Sequence, residues 1–244
     1  MRFIRSLFSR AEQAQPRPER VTVMVVGMHR SGTSFLTGSL QQAGLELGKF
    51  SAWNPHNLKG NRENLEIVAF NDEVLLKRGF AWDNPPAEPV LWSDEEYAAA
   101  RELIAEYDGV ARWGFKDPRT LLLVEGWRHL LPELRFVGIF RHPTAVAQSL
   151  AARGGMPQEQ AFALWLAYNK RLLALYRQVK FPLLCFDEDE SVLHRKLDAV
   201  LDELGLEPSA ERFFSAELKH HEQVRQPLPA ELQKLYRELC RCAR

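Results

Sequence analysis

The stretch VMVVGMHRSGTSFLTGSL, Val23 to Leu40, constrains this chain more than any other. Val21 to Val26 is a β-branched, apolar run, the pattern of a strand buried on both faces in a parallel sheet. Gly27 and Gly32 bound a four-residue loop. Beyond it Leu36, Leu40 and Ala43 recur at helical spacing, with Gly44 as the stop signal. A strand that enters a helix through such a loop aims backbone N–H groups and the positive helix end at one point, which suits an oxyanion. The spacing nearly matches the phosphate loop of nucleotide hydrolases, but the lysine after the second glycine is missing. Thr33 stands there instead, and the basic residue, Arg30, lies inside the loop. In ATP and GTP enzymes that lysine bridges the β- and γ-phosphates, while a hydroxyl and an acid hold magnesium. Ser34 offers the hydroxyl. No strand is expected to run into an aspartate, and Glu125 of LLLVEG falls in a helix-like segment.

The rest of the chain alternates strand and helix patterns. Strands are expected in RWGFK ending at Lys116, in RFVGIF (135–140) and in FPLLCF (181–186). Helices are expected over 65–77, from an N-cap at Ser93 to about Tyr107, from Pro118 to before Pro132, over 143–152, from Pro157 to Lys180, and over 191–204 as the last clear one. Leu45 to Asn64, with NPHNLKGNREN at its centre, reads as a loop. This order predicts an α/β three-layer sandwich around a central parallel sheet, as one domain over 21–244. A basic segment, 1–20, precedes it. Its apolar stripe of Phe3, Ile4, Leu7 and Phe8 is interrupted by Arg5 and Arg10, so it reads as a docking or frayed segment, not a signal peptide.

Charge and cysteine usage narrow the function classes. With 32 basic and 32 acidic side chains the net charge is zero, which argues against nucleic acid as a partner. The three cysteines, Cys185, Cys240 and Cys242, lack the spacing of a disulfide scaffold or metal site, so a cytoplasmic protein is expected. No stretch approaches the length of a transmembrane helix.

A second stretch, LRFVGIFRHPTAVAQSL, places Arg141 at a strand end and Ser149 eight residues on, two turns into the next helix. Such a pair can clamp a phosphate group, although helix serines also bond to their own backbone. Together the two stretches resemble the sulfotransferases that use 3′-phosphoadenosine 5′-phosphosulfate (PAPS). GMHRSGTS resembles their 5′-phosphosulfate loop, and FRHPTAVAQS their 3′-phosphate motif. GFKDPRTLLLVEGWRHLLPELRFV is similar to the central segment of the carbohydrate and tyrosylprotein branches. The resemblance runs from about Val21 to Phe186.

The resemblance implies a donor site made of Arg30, Ser31, Gly32, Thr33 and Ser34 with Arg141 and Ser149, and chemistry that needs no metal. It implies in-line attack of an acceptor hydroxyl or amine on sulfur, with cationic donors for the developing charge. Arg30 is the first such donor. Lys116 is the second, unless it is a surface lysine paired with Asp117. A Glu or His must take the acceptor's proton. Glu63 is the first choice, unless it merely occupies the first turn of the next helix; His56 and His29 are alternatives, with His29 also placed to shape the loop. Asn57 and Arg62 are candidates for the acceptor side. The acceptor itself, a carbohydrate or glycolipid by resemblance, is written in no residue. Trp53, Trp82 and Trp92 suit either sugar stacking or packing. The carboxylates of FDEDES are expected to cap the following helix, and Lys219, His220, His221 and Arg225 to form a solvated basic loop, with a cover over the 3′-phosphate as the alternative that the resemblance implies. Two other readings stand beside this one: a phosphate-loop kinase, and a non-catalytic nucleotide-binding protein of the same fold. Oligomeric state has no signal.

Overall fold

The computed structural model describes residues 20–50, 60–209 and 227–243. The basic N-terminal stripe, Trp53, His56, Asn57 and the Lys219 to Arg225 cluster lie outside the described residues.

The sequence run Val21–Val26 forms β1, and all six of its residues are buried. It is the second strand of a four-stranded, wholly parallel sheet completed by β2 (Arg112–Lys116), β3 (Leu134–Phe140) and β4 (Leu183–Cys185), in the order β2-β1-β3-β4. β1 pairs with β2 through Val25 and Lys116 and with β3 through Val26 and Gly138. Phe140 pairs with Cys185 across β3 and β4.

The period-2 alternation of β1 divides the core. Val21, Val23 and Val25 pack with Phe35, Leu36 and Leu40 of α1 (Thr33–Gln42) and Leu193, Leu197 and Val200 of α7 (Glu190–Leu204). Met24 and Val26 face the larger cluster on the opposite side. That layer holds α2 (Leu65–Leu76), α3 (Asp94–Ala105), α4 (Val124–Leu130), α5 (Pro143–Gly154), α6 (Gln158–Gln178) and α8 (Ala230–Cys242). The result is the expected α/β sandwich with a helix layer on each face.

Three expectations need correction. The helix from Pro118 is a 3₁₀ turn, Pro118–Leu122, followed by α4. Asp117 is the cause: its carboxylate accepts the Arg119 N–H at 3.1 Å and its carbonyl accepts the Thr120 hydroxyl at 2.6 Å, tightening the first turn. The last helix is α8, where Leu232, Leu235 and Leu239 are buried at helical spacing. Finally, Asp189 at the start of α7 makes no capping bond, so the FDEDES acids are not simply a cap.

Candidate active site

In a parallel sheet every strand points the same way, so residues leaving the carboxyl ends gather on one edge. The order β2-β1-β3-β4 also sends the chain outward from β1 to β2 and then across to β3, which opens a crevice between the ends of β1 and β3. The Gly27–Gly32 loop leaves β1 there, Lys116 ends β2, Arg141 follows β3, and Asp187 lies two residues past β4.

Close packing dictates the glycines of the loop. A Cβ on Gly27 would lie 2.4 Å from the Ile139 carbonyl oxygen of β3, so only glycine lets the two strand ends approach. Gly32 has φ +90° and abuts the Phe186 ring. As N-cap of α1 it offers no side chain to the first helical N–H groups. Arg30 is also left-handed, at φ +64°, a conformation costing a non-glycine residue about 1 kcal/mol or more. Its Nε donates to Ser149 Oγ at 2.7 Å, which joins the two sequence motifs across 119 positions. Ser149 therefore does not turn to solvent or to its own backbone.

Arg141 is 8% exposed at its side chain. The guanidinium lies over the Phe186 ring at 5.3 Å, with Nε 3.8 Å from Asp187 Oδ1. Burial lowers the pKa of both Arg30 and Arg141. For Arg30 the neighbouring charges of Arg153 and Arg141 act in the same direction. Three cations thus crowd one place, which is the signature of a site for an anion. Arg153 was not among the expected residues; it stands one helical turn beyond Ser149 on α5, a spacing that could have revealed it. Ser31 Oγ is buried without a hydrogen-bond partner in the same loop. Thr33 is buried, and Ser34 Oγ donates to the Asn61 carbonyl at 3.3 Å.

Lys116 and Glu63 meet. Lys116 Nζ lies 2.8 Å from Glu63 Oε1, with side chains 2% and 16% exposed. Lys116 is therefore no surface lysine, and its partner is not Asp117. Left-handed residues at Gly60 and Arg62 swing the chain just ahead of Glu63. Glu63 precedes the N-cap of α2, Asn64, whose side chain accepts from Glu66 and Ile67, so Glu63 is outside the helix and not in its first turn. β2 does run into an aspartate, contrary to expectation. However, Asp117 is fully buried and already engaged by Asn71 at 2.8 Å and by the Arg119 backbone and guanidinium.

His29 packs against Trp82 (centroids 4.8 Å apart) and edge-on to Tyr168 (6.0 Å). Burial pushes its pKa well below the ordinary histidine value, helped by the charges of Arg119, Lys116, Arg153 and Arg30. A neutral imidazole with a buried, unpartnered Nε2 results. Of the tryptophans, Trp92 is core, wedged between Phe70 and Trp127. Trp82 stays beside the loop and is half-buried. Among the described residues no group of three His, Cys, Asp or Glu could hold a metal ion. No helix among them is long and apolar enough to cross a membrane.

Comparison with known proteins bears on the fold and the family. No curated protein matches the chain. Among solved structures, the sulfotransferase domain from the Synechococcus PCC 7002 olefin synthase superposes with a TM-score of 0.56 at 17% identity, over 92% of this chain and 97% of that one. Sulfotransferase STF1 from Mycobacterium tuberculosis H37Rv gives a TM-score of 0.43 at 14% identity, over 91% of this chain and 76% of that one. The first likeness bears on the fold. The model of the Sulfotransferase family matches residues 22–210, from β1 to beyond α7. On that match, which spans most of the sequence, the chain belongs to the sulfotransferase family.

Proposed function

We propose that this chain transfers a sulfuryl group from PAPS to a hydroxyl or amine of a small-molecule or glycan acceptor. The observation that carries the reading is the 2.7 Å bond from Arg30 to Ser149, with Arg141 beside it at the switch point of the sheet. The donor's two anionic ends need two cationic subsites. The uncapped start of α1, the unpartnered Ser31 hydroxyl and Arg30 fit the 5′ end; Arg141 and Ser149 fit the 3′-phosphate. The donor supplies the activated sulfuryl group and leaves as adenosine 3′,5′-bisphosphate.

The chain's own residues divide the remaining work. Arg30 and Lys116 offer cationic N–H groups to the charge that develops on the oxygens around sulfur, each worth roughly 100- to 1000-fold in rate. Glu63 takes the acceptor's proton. His29 is the poorer base, because protonating it would add a buried charge beside Arg119, Lys116, Arg153 and Arg30. Trp82, next to His29, is the aromatic wall for an acceptor ring. A carbohydrate or glycolipid acceptor and a cytoplasmic setting complete the reading.

Thermal unfolding tests the donor class without knowledge of the acceptor. At a hundredfold excess over its Kd, adenosine 3′,5′-bisphosphate should raise Tm by roughly 5–10 °C in magnesium-free buffer. ADP should do markedly less. An equal or larger shift with ADP, or with ATP and magnesium, would support a kinase instead.

A further inference from the structure

Asp187 belongs to the acidic stretch that the sequence assigns to helix capping, yet the fold turns it inward, toward Arg141. Its Oδ2 accepts the His142 backbone N–H at 2.6 Å and the Tyr236 hydroxyl at 3.3 Å, with the Cys185 thiol at 3.8 Å. Its Oδ1 faces Arg141 Nε at 3.8 Å. One carboxylate thus pins the backbone directly after Arg141 and sets a counter-charge beside the Arg141 side chain. Phe186 supports one face of the same guanidinium. With the Asp187 carboxylate on its Nε side and an aromatic ring on one face, the guanidinium keeps its terminal Nη1/Nη2 edge for an anion.

Tyr236 comes from α8. Its ring also packs edge-on against His142 (4.8 Å) and Phe140 (5.9 Å), so the C-terminal helix braces the end of β3 from which Arg141 emerges. Burial raises the Asp187 pKa, and the His142 amide and the Arg141 charge oppose that shift.

We propose that Asp187, held by the His142 amide and by Tyr236 of α8, is a positioning residue that sets Arg141 for a nucleotide 3′-phosphate, so that α8 takes part in selecting 3′-phosphorylated nucleotides. This rests on the donor reading above. Asp187 touches no reacting atom; it acts through Arg141.

The test compares the affinities of adenosine 3′,5′-bisphosphate and ADP by calorimetry, on the full chain, for wild type, Asp187→Ala, Asp187→Asn and Tyr236→Phe. A merely structural role would weaken both ligands alike, so the readout is their ratio. The preference for the bisphosphate should fall about tenfold in Asp187→Ala, with ADP binding little changed. Asparagine still accepts the His142 N–H, so Asp187→Asn should lose less. Tyr236→Phe should lose about threefold. If Asp187→Ala does not fold, the other two variants decide. A wild-type preference that survives unchanged in both Asp187→Asn and Tyr236→Phe overturns the proposal. A preference that rises overturns it too, making Asp187 a competing anion. A wild type without any preference overturns the donor reading and this proposal with it.

Discussion

Lys116 carries a full charge to a position almost closed to water, and Glu63 answers it at 2.8 Å. Removing two charges from water costs about as much as their attraction returns, so such a pair is a weak source of net stability. In the function proposed above, the pair supplies an ammonium and a carboxylate at the strand ends for the acceptor. The energetic consequence is asymmetric. Lys116→Met should cost about 3 kcal/mol in urea unfolding, because the partly buried Glu63 carboxylate loses its direct ammonium partner. Adding Glu63→Gln should recover at least about 1 kcal/mol of that loss; strict additivity would show that the pair is not coupled. His29 yields a second expectation, in pH. Its folded pKa lies below the ordinary 6.5, so the unfolded chain binds a proton that the folded one resists. The stability this contributes is full above about pH 6.5 and is lost as pH falls. Thermal melts between about pH 7.5 and pH 5 should therefore show wild type losing more stability than His29→Gln. Parallel pH profiles would place His29 in a more polar setting than its contacts with Trp82 and Tyr168 describe.

At the scale of elements, local pattern reads well wherever local chemistry decides. The β-branched run of β1, the leucines of α1 and the capping box of Ser93 and Glu96 that starts α3 are each written within a few residues. The 3₁₀ turn after β2 is harder to read, because the Asp117 that tightens it through Arg119 and Thr120 is itself buried and bonded to Asn71, 46 positions away. The helix α8 is a different case. Its leucines at 232, 235 and 239 have plain helical spacing, but they sit among charges and cysteines that draw attention to the tail's chemistry. They are fully part of the larger core. Leu239→Ala should cost about 2–5 kcal/mol, read as a lower urea midpoint. A shift within error would mean that α8 is only loosely held against α6.

Across the whole molecule, one device assembles the site: a parallel sheet whose strands all deliver their last residues to the same edge. The loop of β1 and the Arg141–Ser149 pair are readable in the sequence because each motif is contiguous. Their meeting is not, since it requires β1 and β3 to be neighbours, a fact of strand order. The same limit hid the partners of Lys116 and Asp187, both of which are tertiary. The site therefore has legible halves and an illegible seam, and Arg141 stands on that seam. Calorimetric titration of adenosine 3′,5′-bisphosphate and of ADP into wild type and Arg141→Ala, without magnesium, addresses it most directly. The expected result is a clear wild-type preference for the bisphosphate that Arg141→Ala abolishes, a loss of at least about tenfold. Equal binding of the two nucleotides by wild type, or a preference that persists in Arg141→Ala, would contradict a 3′-phosphate site at the end of β3.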